Sequence, residues 1–331
     1  MVLKRRKNFS YAKYGYIFSL PFIITFLIFS LYPTIFTAVL GFTDSKGLAN
    51  AGFHLLKDQP FQNFASVLQN NSFITSVKNT ALIWTVNFIP QMLIALLLTA
   101  WFTSKRNDIK FQGFFKVIFY MPNIITAASI AVLFATLFGY PEGPINDLLI
   151  KMGVVSAEQP YQFFQHKLAS QNIIAFIQFW MWYGYTMLIL IAGVKGINPQ
   201  IFEAAEIDGA TGAQAFFRIT LPNLKTILLY VLITSLIGGL NIFDIPKLLV
   251  PYSGPDNATL TVSVFIYNQA FSGSYFWARA AAASMILFAV IAVCSGIIFY
   301  VMRDRDAAEL RKETKRLVRE QRNKLKAQEG R

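Results

Sequence analysis

Six long apolar runs, separated by polar segments, dominate the hydropathy pattern of this 331-residue chain. A helix needs about 20 apolar residues to cross the hydrocarbon core of a bilayer. The runs that meet this length are residues 16–42, 79–102, 114–138, 173–194, 226–243 and 280–302. The pattern therefore predicts an all-α polytopic membrane protein with six transmembrane helices.

The overall composition agrees with a chain that lies mostly in lipid. Hydrophobic residues make up 55% of it, charged residues only 14%, and the mean hydropathy is +0.46. The first run is too long for a signal-peptide core, and the GFTDSKG sequence at its end lacks the small residues of a cleavage site. We therefore expect residues 16–42 to be retained as the first span, and we expect the helical bundle to tolerate Pro21, Pro33, Pro90 and Pro122.

The basic residues indicate the orientation. Most of the 30 Lys and Arg lie in segments on one side of the predicted spans, whereas the loops at about 43–78, 139–172 and 244–279 hold six. Since cytoplasmic segments collect Lys and Arg, both termini are predicted to be cytoplasmic. The resulting layout is a basic N-terminus (1–15), a transmembrane domain (16–302) and a charged tail (303–331) near the anionic inner leaflet.

Several kinds of chemistry are not supported by the sequence. The single cysteine, Cys294, excludes an internal disulfide, and the two histidines lie too far apart to suggest a metal pair. The net charge of +13 flanks apolar runs and forms no folded basic face, so nucleic acid is not an expected partner. No phosphate-binding Gly-x-x-x-x-Gly-Lys-Ser/Thr sequence and no paired-carboxylate or nucleophile motif is present, so we expect a non-catalytic chain without a cofactor.

The polar segment 196–224, between the fourth and fifth runs, has the sequence signals of two short helices. Asn198 is a suitable N-cap and Pro199 a suitable first residue for one helix. Gly209 suits a stop with positive φ, Thr211 can cap a second helix, and Pro222 is expected to end it. The predicted helix–turn–helix would lie on the cytoplasmic face of the membrane.

The surface of this segment has two open interpretations. Ala204 and Ala205 allow another surface to approach closely, and Glu203, Glu206 and Asp208 are acidic on a side of the membrane that otherwise collects basic residues. A short rigid helix of this kind suits docking into a groove of a partner. Packing of the same helix against its own bundle is an equally good interpretation.

The segment also resembles the signature of ABC importer permeases. Glu203-Ala204-Ala205, three residues, Gly209, nine residues and Ile219-Thr220-Leu221-Pro222 keep every spacing of that signature. The stretches YPTIFTAVLGFTD (32–44), YMPNIITAASIAVLFATLFG (120–139) and AGVKGINPQIFEAAEIDGA (192–210) resemble the carbohydrate-uptake branch, in particular the first-named permease type of maltose-transporter inner-membrane subunits. The stretch PYSGPDNAT (251–259) departs from the Thr-x-Gly-Gly-Pro usual there.

The resemblance implies a bacterial plasma-membrane transport subunit driven by a separate ATPase. Residues 196–224 would form the coupling helix that sits in a cleft of the ATPase, with contacts by Glu203, Ala204, Ala205, Asp208, Gly209 and Ala210. The implied partners are an ATP-binding subunit dimer, which binds ATP and Mg, a second homologous permease subunit, an extracellular solute-binding protein and membrane lipid.

Polar and aromatic residues within the spans are candidates for the solute path. Aromatic faces with a few amides and hydroxyls suit a neutral sugar, although small residues also allow helices to pack closely and Trp and Tyr often lie at the membrane interface. The candidates are Asn123 in the third span, Trp180, Trp182, Tyr183 and Tyr185 in the fourth, and Ser235, Gly238, Gly239 and Asn241 in or just after the fifth.

Three other functions remain open at this point. An ABC permease for another solute, such as glycerol phosphate, a polyamine or a peptide, would share the coupling segment. An ion-coupled carrier is disfavoured because the span centres hold almost no ionisable residues. A membrane scaffold or receptor is disfavoured by the intact signature spacing.

Overall fold

The computed structural model describes residues 12–47, 54–104, 109–273, 275–303, 313–318 and 320. The basic cluster at 4–7, Lys105, Arg106 and most of the charged tail lie outside these residues. Within the tail, residues 313–318 are helical, and Arg316 Nε contacts Glu320 Oε1 at 3.1 Å.

Helices make up the regular structure of the described residues, which contain an isolated bridge between Thr43 and Leu55 but no strand. Short π-helical turns at Leu27–Leu31 and Phe216–Thr220 join helices end to end. The helices are α1 (Ala12–Phe26), α2 (Tyr32–Leu40), α3 (Gln62–Leu68), α4 (Asn71–Thr103), α5 (Gln112–Ile124), α6 (Ala127–Leu137), α7 (Pro144–Lys151), α8 (Lys167–Lys195), α9 (Pro199–Ile207), α10 (Gly212–Ala215), α11 (Leu221–Asn223), α12 (Lys225–Leu240), α13 (Asp244–Leu249), α14 (Val262–Phe271) and α15 (Trp277–Met302).

Five of the six predicted spans correspond to helical segments that are long and apolar enough to cross a membrane. These segments are Lys13–Leu40, Asn71–Thr103, Lys167–Lys195, Lys225–Leu249 and Trp277–Met302. Pro21 and Pro90 lie inside their helices, as expected for prolines in a membrane bundle. The protein is therefore a multi-pass membrane protein.

The third predicted span differs from a straight helix. Residues 114–138 divide between α5 and α6, which meet at an angle of 90°. Ile125 and Thr126 have extended backbone angles, with ψ of 136° and 144°, and the Thr126 hydroxyl accepts a hydrogen bond from the Ser129 amide as the N-cap of α6. The run counts as a sixth span only if α5 and α6 are taken together as one bent span. The hydropathy pattern did not predict the break at residues 125–126, because the apolar run continues through it.

The chain divides into two compact units. The first comprises residues 1–74 and 265–288, and the second residues 75–264 and 289–331. In the first unit, Phe42, Phe61 and Phe64 form an aromatic cluster beyond the end of α2. Asn63 Nδ2 donates to the Gly41 and Thr43 carbonyls at 3.0 and 2.8 Å, which fixes the turn beside that cluster.

Helix α8 is central to the second unit, where it packs against α5, α12 and α13, while α6 packs against α13. Two buried clusters lie along α8. One is built around Ile83, Ile174 and Ile245, and the other around Met187 and Leu224. One long helix therefore holds both ends of this unit in place.

A buried pair of amides joins α4 and α8 to the loop before α14. Asn79 Nδ2 donates to the Asn257 and Leu260 carbonyls at 2.7 and 3.1 Å. Gln171 Nε2 donates to Asn79 Oδ1 and to the Ala258 carbonyl at 3.0 and 2.8 Å. These bonds satisfy loop carbonyls that no helix or strand would pair.

We predict that Gln171→Ala lowers the stability of the protein, because it leaves the Ala258 carbonyl and Asn79 Oδ1 without their donor. A loss of about 1–3 kcal/mol is expected for unpaired buried polar groups. The matched control is Asn172→Ala, the next residue of α8, which is exposed. Thermal unfolding of the purified protein in detergent should show a lower midpoint for Gln171→Ala alone, and equal midpoints for the two variants would contradict the assignment.

Candidate functional site

A cavity of about 350 Å³ lies between α4, α8, α12 and the start of α13. It is at the small end of the roughly 300–1,000 Å³ typical of ligand pockets. The lining residues are Trp84, Asn87, Gln91, Ala127, Gln178, Met181, Trp182, Tyr185, Thr186, Ile189, Tyr230, Val231, Thr234, Ser235, Gly238, Gly239, Asn241, Ile242, Phe243, Asp244 and Ile245.

Helix α12 presents the predicted candidates to this cavity on one face. Gly238 and Gly239 lie three and four residues after Ser235, so these three residues share one side of α12, and all three line the cavity. Ile242, two residues beyond the end of the helix, lines it as well. Asn241 lies at the C-cap and also lines it. The candidates Ser235, Gly238, Gly239 and Asn241 therefore line one cavity, and their contact with a solute remains a prediction.

Of the α8 candidates, Trp182 and Tyr185 line the cavity and pack edge to face, with ring centroids 5.7 Å apart. Trp180 instead packs edge to face against Phe134 at 5.7 Å. Neighbouring aromatic residues on one helix thus face different surroundings.

Asn123 and Tyr183 are also absent from the lining. Asn123 Nδ2 donates to the Met181 carbonyl at 3.2 Å, which ties α5 to α8. Tyr183 packs edge to face against Phe119, with centroids 6.3 Å apart. For these two residues and Trp180, the packing interpretation fits the structure.

Helix α4 contributes lining residues that the sequence analysis missed. Trp84, Asn87 and Gln91 lie at positions i, i+3 and i+7, hence on one face of α4, and both amides are buried. The sequence signal that could have identified this face is the presence of two amides, Asn87 and Gln91, four residues apart within a predicted membrane span. Gln178, Tyr230 and Asp244 were missed as well.

Three of the cavity amides donate hydrogen bonds within the protein. Gln91 Nε2 donates to Thr186 Oγ1 at 2.8 Å, and that hydroxyl donates to the Trp182 carbonyl at 3.1 Å. Asn87 Nδ2 and Asn241 Nδ2 donate to the helix carbonyls of Ile83 and Ile237. The orientation of Asn87 and Asn241 is therefore determined by the helical turn before each of them, and that of Gln91 by its contact with α8.

Gly239 allows α4 and α12 to approach closely. A Cβ at this position would overlap Cδ1 of Trp84, whose indole lies against the α12 backbone. Trp84 Nε1 is buried there with no hydrogen-bond partner in the described residues. The adjacent Gly238 has open space where its Cβ would be.

The first part of the segment between α8 and α12 has the caps and the turn that its sequence predicts. Asn198 Oδ1 accepts a hydrogen bond from the Gln200 amide at 3.0 Å as the N-cap of α9, with Pro199 as the first residue. Gly209 has φ of +75° just after this helix. Thr211 and Gln214 form a reciprocal capping box at the start of α10.

The end of this segment differs from the prediction. The chain continues from α10 through the π-helical turn at Phe216–Thr220 into α11, which contains Pro222, before α12 begins at Lys225. Pro222 does not end the helical path because it lies near the start of α11, where a missing N–H leaves no partner unsatisfied.

The two sides of α9 differ in burial. Phe202 packs against the core cluster around Leu224, and Ala205 is partly buried beside it. Glu203, Ala204 and Asp208 are exposed, as is Gly209. Ile207, which the sequence analysis did not single out, is 87% exposed. The outer face therefore combines acidic, small and apolar groups.

A second cavity, of about 380 Å³, lies beneath this segment. It is lined by the ends of α4 and α8, by Ala205 and Glu206 of α9, and by Ala210 and α10. In the described residues, no three His, Cys, Asp or Glu side chains lie close enough together to hold a metal ion.

Comparison with known proteins identifies the family. Residues 69–308, well over half of the chain, match the family described as the binding-protein-dependent transport system inner membrane component. The chain belongs to this family, whose members are membrane components of transport systems.

Several relatives with assigned functions come from sugar transport systems. The lactose transport system permease protein LacF of Rhizobium radiobacter is 28% identical, with 88% of this chain and 94% of LacF aligned. The arabinooligosaccharides transport system permease protein AraP of Bacillus subtilis is also 28% identical, over 84% of this chain and 85% of AraP.

The fold has solved counterparts. A chain of a bacterial ABC transporter involved in the import of the acidic polysaccharide alginate superposes with a TM-score of 0.72 at 24% identity, covering 88% of this chain and 95% of that one. A second structure of the alginate transporter, in complex with an alginate pentasaccharide-bound periplasmic protein, has a TM-score of 0.71 at 25% identity, covering 88% and 94%.

We predict that Gly239→Ala destabilises the protein by about 1–3 kcal/mol, because the added methyl group forces α4 and α12 apart. Gly238→Ala is the matched control on the same turn of helix. With open space for its methyl group, it is expected to be neutral or slightly stabilising, by up to about 1 kcal/mol. Thermal unfolding of both variants checks this, and an equal midpoint for Gly239→Ala and the unmodified protein would show that the helices do not need this close contact.

Proposed function

We propose that this chain is one permease subunit of an ATP-driven importer of a sugar or oligosaccharide, and that it forms half of the translocation path. The observation that carries the proposal is that α8 connects two features. Its middle lines a cavity with aromatic and amide side chains, and its end leads into the capped helical segment that has the importer signature. The sugar transport functions of LacF and AraP support the choice of substrate class.

The proposed topology has six spans, with the bent pair α5 and α6 as the third. Both termini, the basic segment 1–15 and the tail 303–331 are cytoplasmic, and the transmembrane domain covers 16–302. The loop 196–224 then lies in the cytoplasm between the fourth and fifth spans. The distribution of Lys and Arg supports this orientation.

The outer face of α9 is the proposed contact with the ATPase. Glu203, Ala204, Asp208 and Gly209 are exposed there, and Ala205 and Ala210 support them from the side of the second cavity. Ile207 adds an apolar anchor. An ATP-binding subunit dimer, which holds ATP and Mg, would receive this face in a groove, as short helices are commonly received.

Two further partners complete the proposed importer. A second homologous permease subunit supplies the other half of the path. An extracellular solute-binding protein delivers the sugar, a role supported by the solved relative that is bound to a periplasmic protein carrying an alginate pentasaccharide.

The proposed coupling depends on α8. Tyr185 in the cavity wall and Lys195 at the end of α8 are ten residues apart, about 15 Å along a helix. The N-cap of α9 follows three residues later. A movement of α9 in the ATPase groove is thereby transmitted to the cavity wall, which shifts the equilibrium between outward-facing and inward-facing states.

The cavity provides the proposed sugar contacts. Trp182 and Tyr185 present aromatic surfaces, and Ser235, Asn241 and the space at Gly238 face the same volume. Gly239 contributes through the position of Trp84, while Asn123 acts as a packing residue between α5 and α8. Membership of the transport family and the intact coupling segment favour this function over an ion-coupled carrier.

The proposal is tested with the assembled transporter in proteoliposomes, using radiolabelled lactose, arabino-oligosaccharide and diacetylchitobiose in turn. We expect uptake of a saccharide that requires ATP and the solute-binding protein and is insensitive to ionophores. Accumulation without ATP, driven by an imposed ion gradient, would contradict the proposed energy source.

We predict that Ile207→Ser weakens association with the ATPase about tenfold or more, since burial of an isoleucine contributes about 1.5–3 kcal/mol. The control is Val154→Ser, an exposed aliphatic residue in a predicted outside loop. Both side chains are exposed, so neither change should alter the unfolding midpoint. Co-purification and ATP-driven uptake should fall for Ile207→Ser only, and an equal effect of both variants would argue against α9 as the contact.

A further inference from the structure

The lining of the transport cavity is nearly free of charge. Asp244, the first residue of α13, is the only acidic or basic side chain among the described residues that form its wall. Lys247 follows one turn later on α13 but is not part of the lining. A bound solute therefore meets a carboxylate and no cationic side chain.

The neutral amides of the cavity also offer hydrogen-bond acceptors to a solute. The N–H groups of Asn87, Gln91 and Asn241 donate to protein acceptors. In the described part of the chain, no protein donor reaches the amide oxygens of these three residues. The donors that also line the cavity, such as Ser235, Gln178 and Trp182, are uncharged, and these amide oxygens together with the Asp244 carboxylate offer acceptors to a solute. Saccharide hydroxyls can donate to such groups, whereas an ionised carboxylate on a sugar can only accept.

An anionic solute would be disfavoured twice at this position. It would lose its hydration without gaining a cation, and it would share a cavity of about 350 Å³ with the Asp244 carboxylate. At an effective dielectric constant of 20, two like charges about 8 Å apart repel enough to weaken binding more than tenfold. Alginate, the acidic cargo of the structurally similar transporter, is therefore a poor match for this cavity.

We propose that this cavity selects an uncharged saccharide unit and rejects an anionic one, with Asp244 as the residue that sets the charge preference. The inference rests on the proposed function, because it assumes that the cavity is the sugar path. It adds the class of sugar, which the family does not determine: uronic acids and sugar phosphates are excluded at the membrane step itself, whatever the solute-binding protein delivers.

The test measures occupancy of the cavity directly. Ser235, in the cavity wall, is replaced by cysteine in a Cys294→Ala background, and the assembled transporter is reacted with an uncharged maleimide. Lactose and diacetylchitobiose serve as neutral probes and an alginate disaccharide as the anionic probe. We expect the neutral sugars to slow labelling, and the alginate disaccharide to need at least roughly tenfold higher concentration for the same protection. Ser156→Cys, in an exposed loop, controls for effects of sugar on the reagent.

Asp244→Asn tests the assigned residue. The ratio of protecting concentrations, anionic to neutral, should fall by roughly tenfold or more when the carboxylate becomes an amide. Asp256→Asn removes one carboxylate outside the cavity and should leave the ratio unchanged. Because the comparison of probes on the unmodified Asp244 background already tests charge selection, the proposal does not depend on folding of the Asp244 variant.

The outcomes separate this inference from the proposed function. Equal protection by neutral and anionic sugars would overturn the charge selection and leave the sugar path intact, and an unchanged ratio in Asp244→Asn would overturn the role of Asp244. Absence of protection by any sugar would overturn the inference, while ATP-driven uptake measured on the same preparation reports on the proposed function separately.

Discussion

Packing of α8 against its neighbours is the interaction on which the rest of the second unit depends. The helix contributes to both buried clusters, and 44% of its most apolar stretch is buried, more than in the other candidate spans. Its middle forms one wall of the cavity, and its end leads directly into α9. Because a helix is stiff along its axis, α8 connects the cavity wall at Tyr185 rigidly to Lys195 at its own end, about 15 Å away.

The polar groups of this unit follow from the need to satisfy hydrogen bonds away from water. Amides on α4, α8 and α12 use their N–H groups on carbonyls of the helices or of the loop before α14, which secures the scaffold. The oxygens of Asn87, Gln91 and Asn241 remain as acceptors in the cavity, whereas Asn79 Oδ1 accepts from Gln171 outside it. The hydrogen bonds that stabilise the bundle therefore also determine which groups are left for a solute, since hydroxyl-rich solutes complement acceptors and anions do not.

The segment at α9 and α10 is stiff for local reasons. Its N-cap and its capping box are hydrogen bonds between residues no more than three positions apart, and the positive φ of Gly209 is a property of a single residue. Signals of that range can be read from sequence, and Asn198, Pro199, Gly209 and Thr211 were identified with their correct local roles. The exposed Ile207 was not, since exposure depends on where the helix lies against the bundle.

The sequence by itself determined the helical class, the positions of five spans and the caps of the α9 segment, because these depend on composition and on bonds between near neighbours. Only the tertiary structure decided which polar residues share a cavity. It placed Trp182 and Tyr185 in the wall and Trp180, Tyr183 and Asn123 in packing contacts, added Trp84, Asn87 and Gln91, and bent the third run at residues 125–126. A membrane helix that is apolar on all sides gives no periodic signal for which neighbour covers each face, so that choice is made when the helices pack.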